Sequence, residues 1–355
     1  MSKFPALKHT FKKNWLATWL NDPSILPVDE NDWELLSLKE RTIVLAHQLH
    51  RWLPAKQMDK KLSLIEELIK TNKPWNSGDM LYWPIFSWVE IFANDCPDQA
   101  LVFLAKYTHV FTAEFAIRPL IVRHEEKVFE FLSSKLSHPD EHVRRWISEG
   151  TRPRLPWGLG VPSLKNNLER NLQLITPLIH DSSTYVRKSV GNHLNDLYRE
   201  DPALAMEYAT KWKKNNTPES NWVVKHGLRS AVKDGFLPAL LLLGFEPVEM
   251  KQAECTIVEK TIPFHGDVLF HISGKFDKPS DVILDYAINF VRANGKSNRK
   301  VFKLKILSNV SDFKMDKKHR FKPISTRKYY PGMHTIEILA NGETIATETF
   351  ELKKP

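Results

Sequence analysis

From about Asp32 to Gly244 apolar residues recur at helical spacing, in segments broken by Pro, Gly or Asn/Asp clusters. Asp32 followed by Trp33, Leu35, Leu36 and Leu38 predicts the opening of one helix. Further helices are predicted over Met58 to Ile69, Trp83 to Phe92, Gln99 to Tyr107 and Thr112 to Val122. Trp33, Trp52, Trp83 and Trp88 fall at core spacing and are expected to be packing residues. The helices also repeat. Leu136, Val143 and Arg144 recur 43 positions later as Ile179, Val186 and Arg187, each set spanning a helix, a short polar turn and a second helix. A weaker third copy runs through Asn221, Lys225 and Arg229. Paired helices at that period predict a HEAT or armadillo-like solenoid.

After Gly244 the period changes to two. Glu246, Pro247 and Glu249 form a linker. Apolar alternation then predicts strands over Thr256–Ile262, Val268–Ser273, Val282–Val291, Val301–Leu307, His334–Ala340 and Thr344–Leu352. Asn341-Gly342 between the last two is a type I′ hairpin signal. Six or seven such strands in about 100 residues fit an immunoglobulin-like sandwich. The expected organisation is therefore a helical repeat domain over 1–246 and an all-β domain over 247–355.

Charge separates the two parts further. The chain carries a net +9, with 18 Lys and Arg against 12 Asp and Glu in residues 252–355 and 33 against 30 before them. All 11 tryptophans lie at or before Trp222. The all-β part has two basic runs, Arg292–Lys305 and Lys314–Lys328, that read either as solvated faces or as a clamp on a polyanion. No segment approaches 18 uninterrupted apolar residues, so no membrane span is expected. Cys96 and Cys255 lie too far apart in sequence for a zinc motif and suit a reducing, cytoplasmic setting. No phosphate loop, nucleophile elbow or metal-ligand spacing appears, and no cofactor is expected.

The densest chemistry lies in HVRRWISEGTRPRLPWG, His142 to Gly158, where four arginines, two tryptophans and Glu149 crowd a helix end and the loop behind it. Two more carboxylates stand out. Glu114 in TAEFAIRP precedes Arg118 by four residues, which would place the pair on one helix face. Asp196 closes YVRKSVGNHLND. The 43-residue shift maps Glu149 onto Asn192, one turn before Asp196, so repeat symmetry directs Glu149 and Asp196 toward one groove. The plain alternative is that such acid–arginine pairs are solvated or inter-repeat bridges worth under about 1 kcal/mol each. Trp157 differs from the other tryptophans, because a Pro-Trp-Gly loop end is a poor place to hide an indole.

At these same residues the sequence resembles the AlkC-type DNA glycosylases of bacterial alkylation repair. TAEFAIRP, SEGTRPRLPWG and VRKSVGNHLND look like that family's signatures, as do Ala6–Lys8 and the LKER of Leu38–Arg41. The likeness continues through DYAINF, VFKLK and RKYYPGMH in the all-β part. It implies excision of cationic N-alkylated bases, 3-methyladenine foremost, without swinging the base into a deep pocket. It also implies Glu114, Glu149 and Asp196 as the active-site acids and Trp157 as the residue that meets the lesion. Arg118, Arg144, Arg145, Arg152, Arg154, Arg187, Arg229, Arg299, Lys300 and Lys303 are then expected on DNA. The partner is double-stranded DNA carrying alkylated bases, bound by a monomer in the bacterial cytoplasm. Two other classes compete with this reading: a repeat-protein interaction scaffold, and a non-catalytic DNA-binding relative.

Overall fold

A computed structural model describes residues 11–71, 79–322 and 327–354. The Ala6–Lys8 motif lies outside the described residues. By contact the chain divides between Gly227 and Leu228 into two units. The first holds twelve α-helices among the described residues, and none of the described helices is long and apolar enough to cross a membrane.

Several helix starts are set by local chemistry. The helix Leu38–Trp52 opens on a capping box: the Ser37 hydroxyl accepts from the Glu40 amide, and the Glu40 carboxylate accepts from the Ser37 amide. The residues from Asp32 to Leu36 are turns and a bend, so the helix starts at Leu38, capped by Ser37, and not at Asp32. Trp83–Phe92 forms as expected, and Pro97–Tyr107 begins two residues early because Pro97 suits a first helical position. Thr112–Ala116 departs from expectation. It is irregular at Thr112–Ala113 and a turn over Glu114–Ala116, and the helix begins only at Ile117 and runs to Ser133.

The 43-residue repeat is visible bond by bond. Asp140 caps the helix Glu141–Gly150 by accepting from the His142 amide, and Ser183 caps Thr184–Glu200 by accepting from the Tyr185 amide. Arg144 donates to the carbonyls of His138 and Pro139, while Arg187 donates to those of Asp181 and Ser182. Each arginine thus ties its helix to the turn that precedes it. Arg144 also grips Asp181 with two bonds of 2.6 and 2.9 Å, joining one repeat to the next. Of the expected core tryptophans, Trp33, Trp83 and Trp88 are buried, whereas Trp52 is 39% exposed.

The second unit begins with short helices at Arg229–Lys233 and Leu237–Leu242, followed by six strands among the described residues. These are β1 (Met250–Ile257), β2 (Thr261–Ile262), β3 (Asp267–Val291), β4 (Ser297–Arg320), β5 (Gly332–Ala340) and β6 (Glu343–Leu352). The hydrogen-bonded order is β1-β3-β5-β6-β2, with β4 on β3; only the β2–β6 pair is parallel. Two expected strands are one: β3 runs through Pro279, and its register with β4 is irregular between Lys275 and Val282. A proline without an amide donor is tolerated at such a break. β1 pairs with the first half of β3 and β5 with the second, so the bend lets one long strand serve two partners. Phe270, Tyr286, Phe290, Phe321, Ile336 and Phe350 lie in the core this creates.

Candidate active site

The helix Glu141–Gly150 buries Val143, Trp146 and Ile147, and Trp146 Nε1 donates to the Ala113 carbonyl at 3.1 Å. That bond fixes the Thr112–Ala116 turn, and with it Glu114, beside the helix. Gly150 packs so close to the preceding helix, Ile117–Ser133, that a Cβ there would lie 2.8 Å from Ile117 Cγ2. Thr184–Glu200 brings Ser189 and Asp196 to the same place from the following repeat.

The three acids expected from the sequence meet in one buried chain of alternating charge. Arg145 is hydrogen-bonded to Glu114 and lies 3.8 Å from Glu149. Arg152 contacts Glu149 at 2.5 Å and grips Asp196 with bonds of 2.8 and 3.1 Å. Three carboxylates and two guanidiniums form the chain, and the buried Arg118 guanidinium beside Arg152 and Asp196 brings the local charge to zero when all are ionised. The acids are only 8%, 5% and 5% exposed, so they are not solvated bridges, although Arg145–Glu114 and Arg152–Asp196 do join one repeat to another, as the plain alternative also expects. Burial raises the Glu114 carboxyl above its ordinary range, against the pull of Arg145. Burial likewise raises Asp196, against Arg152. For Glu149 burial is outweighed: Arg145, Arg152 and the 2.7 Å bond from Ser189 hold it below the usual carboxylate range.

Several of the arginines expected on DNA are spent inside the protein. Arg118 is 1% exposed and pairs with no acid; it donates to the carbonyls of Gly150, Arg152 and Leu159. The Glu114–Arg118 pair does not form, because Glu114 sits in a turn and the i, i+4 relation holds only within a helix. Arg145 and Arg152 bind the acids, as described. Arg144 and Arg187 hold their own repeat turns, and Arg187 also lies 5.9 Å from the Trp222 ring. Arg154 is half exposed and pairs with Glu200 at 2.5 Å. In the second unit Arg229 is partly buried at a helix start, and Arg299 pairs with Glu337 at 2.8 Å. Lys300 and Lys303 are exposed on β4, with Lys300 over Phe302 at 5.5 Å.

Trp157 is 50% exposed and has a left-handed backbone, φ 66°, a strained state for a bulky residue. Its indole stacks at 6.1 Å on buried Trp83, which in turn stacks on Phe115 and Phe111. Lys39 donates to the Trp157 carbonyl at 3.0 Å and to Glu90 at 3.1 Å. The LKER segment, noted in the sequence for its resemblance alone, thus meets the tryptophan loop through Lys39. Missed by sequence pattern were Thr112, which donates to Glu114 at 2.6 Å, and Ser189 on Glu149. Tyr185, 40% exposed with Arg145 at 5.1 Å from its ring, was missed too. A hydroxyl such as that of Ser189, 40 residues from its carboxylate and in another repeat, leaves no mark on local spacing.

A helical repeat unit followed by an immunoglobulin-like domain is the architecture of an AlkC-type protein. The chain belongs to the family of Bacillus subtilis YhaZ, described as an uncharacterized protein, with which it is 34% identical over 325 residues, 90% of this chain and 89% of that one. Residues 251–354 match the family model described as "Uncharacterised protein YhaZ, C-terminal Ig-like domain". Among solved structures it is similar to the alkylpurine DNA glycosylase AlkC of Pseudomonas fluorescens, bound to DNA containing an abasic site analogue. That likeness has a TM-score of 0.88 at 28% identity and covers 99% of this chain and all of the other.

Proposed function

We propose that this protein is a DNA glycosylase that hydrolyses the N-glycosidic bond of cationic N-alkylated purines, 3-methyladenine foremost, in duplex DNA. The observation that carries the reading is the buried chain Glu114–Arg145–Glu149–Arg152–Asp196, which gathers three carboxylates at one place. The whole-chain likeness to AlkC supports it.

The chemistry follows from the substrate. Alkylation at N3 of adenine places a positive charge on the base, which therefore departs neutral and needs no general acid. Positive charge develops on the deoxyribose instead, as in oxocarbenium-like glycoside cleavage. The carboxylates would stabilise that charge and orient or deprotonate the attacking water. Glu149, held ionised by two arginines and Ser189, suits the electrostatic role. Glu114 and Asp196, whose carboxyls burial raises, suit the handling of a proton from water. An undamaged base keeps a poor leaving group and gains little. Half-exposed Trp157 offers a ring face to a cationic lesion. Base removal in this reading needs no deep pocket and no cofactor. Exposed Lys300 and Lys303 would hold phosphates, and the protein would act as a monomer in the cytoplasm.

The test is chromatographic measurement of free base released from methylated duplex. Glu149→Gln should slow release by about a hundredfold or more, since one carboxylate about 4 Å from the developing cation is worth several kcal/mol. DNA affinity should persist. Wild-type protein that frees no base while binding DNA would leave the non-catalytic reading standing; absence of salt-dependent DNA binding as well would favour the scaffold.

A further inference from the structure

We propose that Arg118 is a positioning residue, which sets the course of the Gly150–Leu159 loop and through it the places of Arg152 and Trp157. For its kinetic consequences this rests on the glycosylase reading. Its geometric content does not.

Arg118 lies in the first turn of the helix Ile117–Ser133 and is buried. Its guanidinium is spent on one loop. Nη1 donates to Gly150 O and to Arg152 O, each at 3.0 Å, and Nε donates to Leu159 O. The first carbonyl belongs to the last residue of the Glu141–Gly150 helix, and the last lies just beyond the strained tryptophan. One planar fork therefore pins both ends of the loop and the residue whose side chain joins Glu149 to Asp196. Its stem is fitted as closely. A Cβ on Gly158 would lie 3.0 Å from Arg118 Cδ and 2.8 Å from Leu155 Cδ2, so the glycine lets the loop close down on the arginine. Lys39 holds the Trp157 carbonyl from the other side. A lysine at 118 offers its three donors from one nitrogen and lacks the planar fork that sets Nε on Leu159 O while Nη1 holds Gly150 O and Arg152 O.

The experiment uses full-length protein labelled with 5-fluorotryptophan, the Trp157 resonance being assigned with Trp157→Phe. Arg118→Gln and Arg118→Lys should both shift that resonance, together with that of Trp83 stacked on it, and leave those of tryptophans remote from the loop in place. Single-turnover base release at saturating DNA should fall about a hundredfold, the usual consequence of displacing an active-site group by about 1 Å. Half-saturation should stay within about twofold, and the slope of log affinity against log salt should not change, because no phosphate contact is lost. Gly158→Ala, which presses on the same stem while keeping the guanidinium, should move the same resonance. It serves as the test if the Arg118 variants do not fold. An unmoved Trp157 resonance in a folded variant overturns the proposal. So does unchanged turnover with the salt slope reduced by about one, the signature of a phosphate contact. Wild-type protein that releases no base would sink the glycosylase reading alone, since the resonance still reports on the loop.

Discussion

Each acid of the site has its own surroundings, and those differences predict its titration. Glu114 and Asp196 ionise above the ordinary carboxylate range because burial dominates, and Glu149 ionises below it because its cations and Ser189 win. If activity requires all three as anions, base release falls as pH drops through the raised values, while Glu149 stays charged further down. The acid limb of the pH–rate profile belongs to the cluster as a whole and should lie above the limb of an exposed carboxylate. Thr112 lowers Glu114 by donating to it, so Thr112→Val should move that limb to higher pH. A profile that stays in place would exclude Glu114 from the rate-determining charge. Asp196→Asn addresses the other end of the chain. It weakens a two-bond grip on a buried arginine, and removing one partner of a buried pair costs about 3 kcal/mol or more. Denaturant unfolding monitored by tryptophan fluorescence should show that loss, with release of base falling as well.

At the scale of the element, the hairpin between β5 and β6 shows how far a sequence signal reaches. Asn341-Gly342 announces a tight turn, and both residues have positive φ, 46° and 86°. The turn is also a tertiary joint, which the dipeptide does not reveal. Asn341 is buried; its amide donates to the carbonyls of Glu246 and Asp281 and its oxygen accepts from the Ile283 amide. A Cβ on Gly342 would lie 2.5 Å from Gly235 Cα. Gly342→Ala therefore meets a backbone that cannot yield, in addition to a strained φ, and should destabilise the second unit by about 2 kcal/mol or more. Thermal unfolding followed by far-ultraviolet circular dichroism measures this. The same contrast runs through the helical unit. The repeat was legible because Val143/Val186 and Arg144/Arg187 recur with their caps, a periodic signal carried by neighbours in sequence. The gathering of Glu149 and Asp196 followed from it. The partners did not: i, i+4 spacing pairs Glu114 with Arg118 only if a helix runs through both, and Trp146 instead anchors a turn there. Long β3 was hidden for a similar reason. Pro279 marks a strand end in most contexts, and here a bulge absorbs it.

Across the whole molecule the two units carry different responses to acid. The second unit buries His319 and His334 in its aromatic core, and burial lowers each to about 4. His334 stacks on Phe321 at 5.4 Å and meets the edge of Phe350, with neither ring nitrogen hydrogen-bonded. A histidine whose folded pKa lies below its unfolded value is neutral in the native state and charges more readily in the unfolded one. Its contribution is complete above about pH 6.5 and is lost as pH falls toward 4, by roughly 3 kcal/mol per group. Among the described residues of the first unit, His193 is also lowered to about 4, with Nδ1 at 3.1 Å from the Ser148 carbonyl, and burial lowers His50 as well. The second unit should therefore lose stability more steeply between those limits. Hydrogen exchange read peptide by peptide separates the two, comparing Asp267–Val291 with Thr184–Glu200 as pH is lowered. Tryptophan fluorescence gives an independent report, since every tryptophan precedes Leu228. His334→Leu removes one titrating group without breaking a hydrogen bond, and should flatten the acid dependence of the Asp267–Val291 peptides. Equal slopes in wild type and variant would mean that His334 is already charged in the folded core.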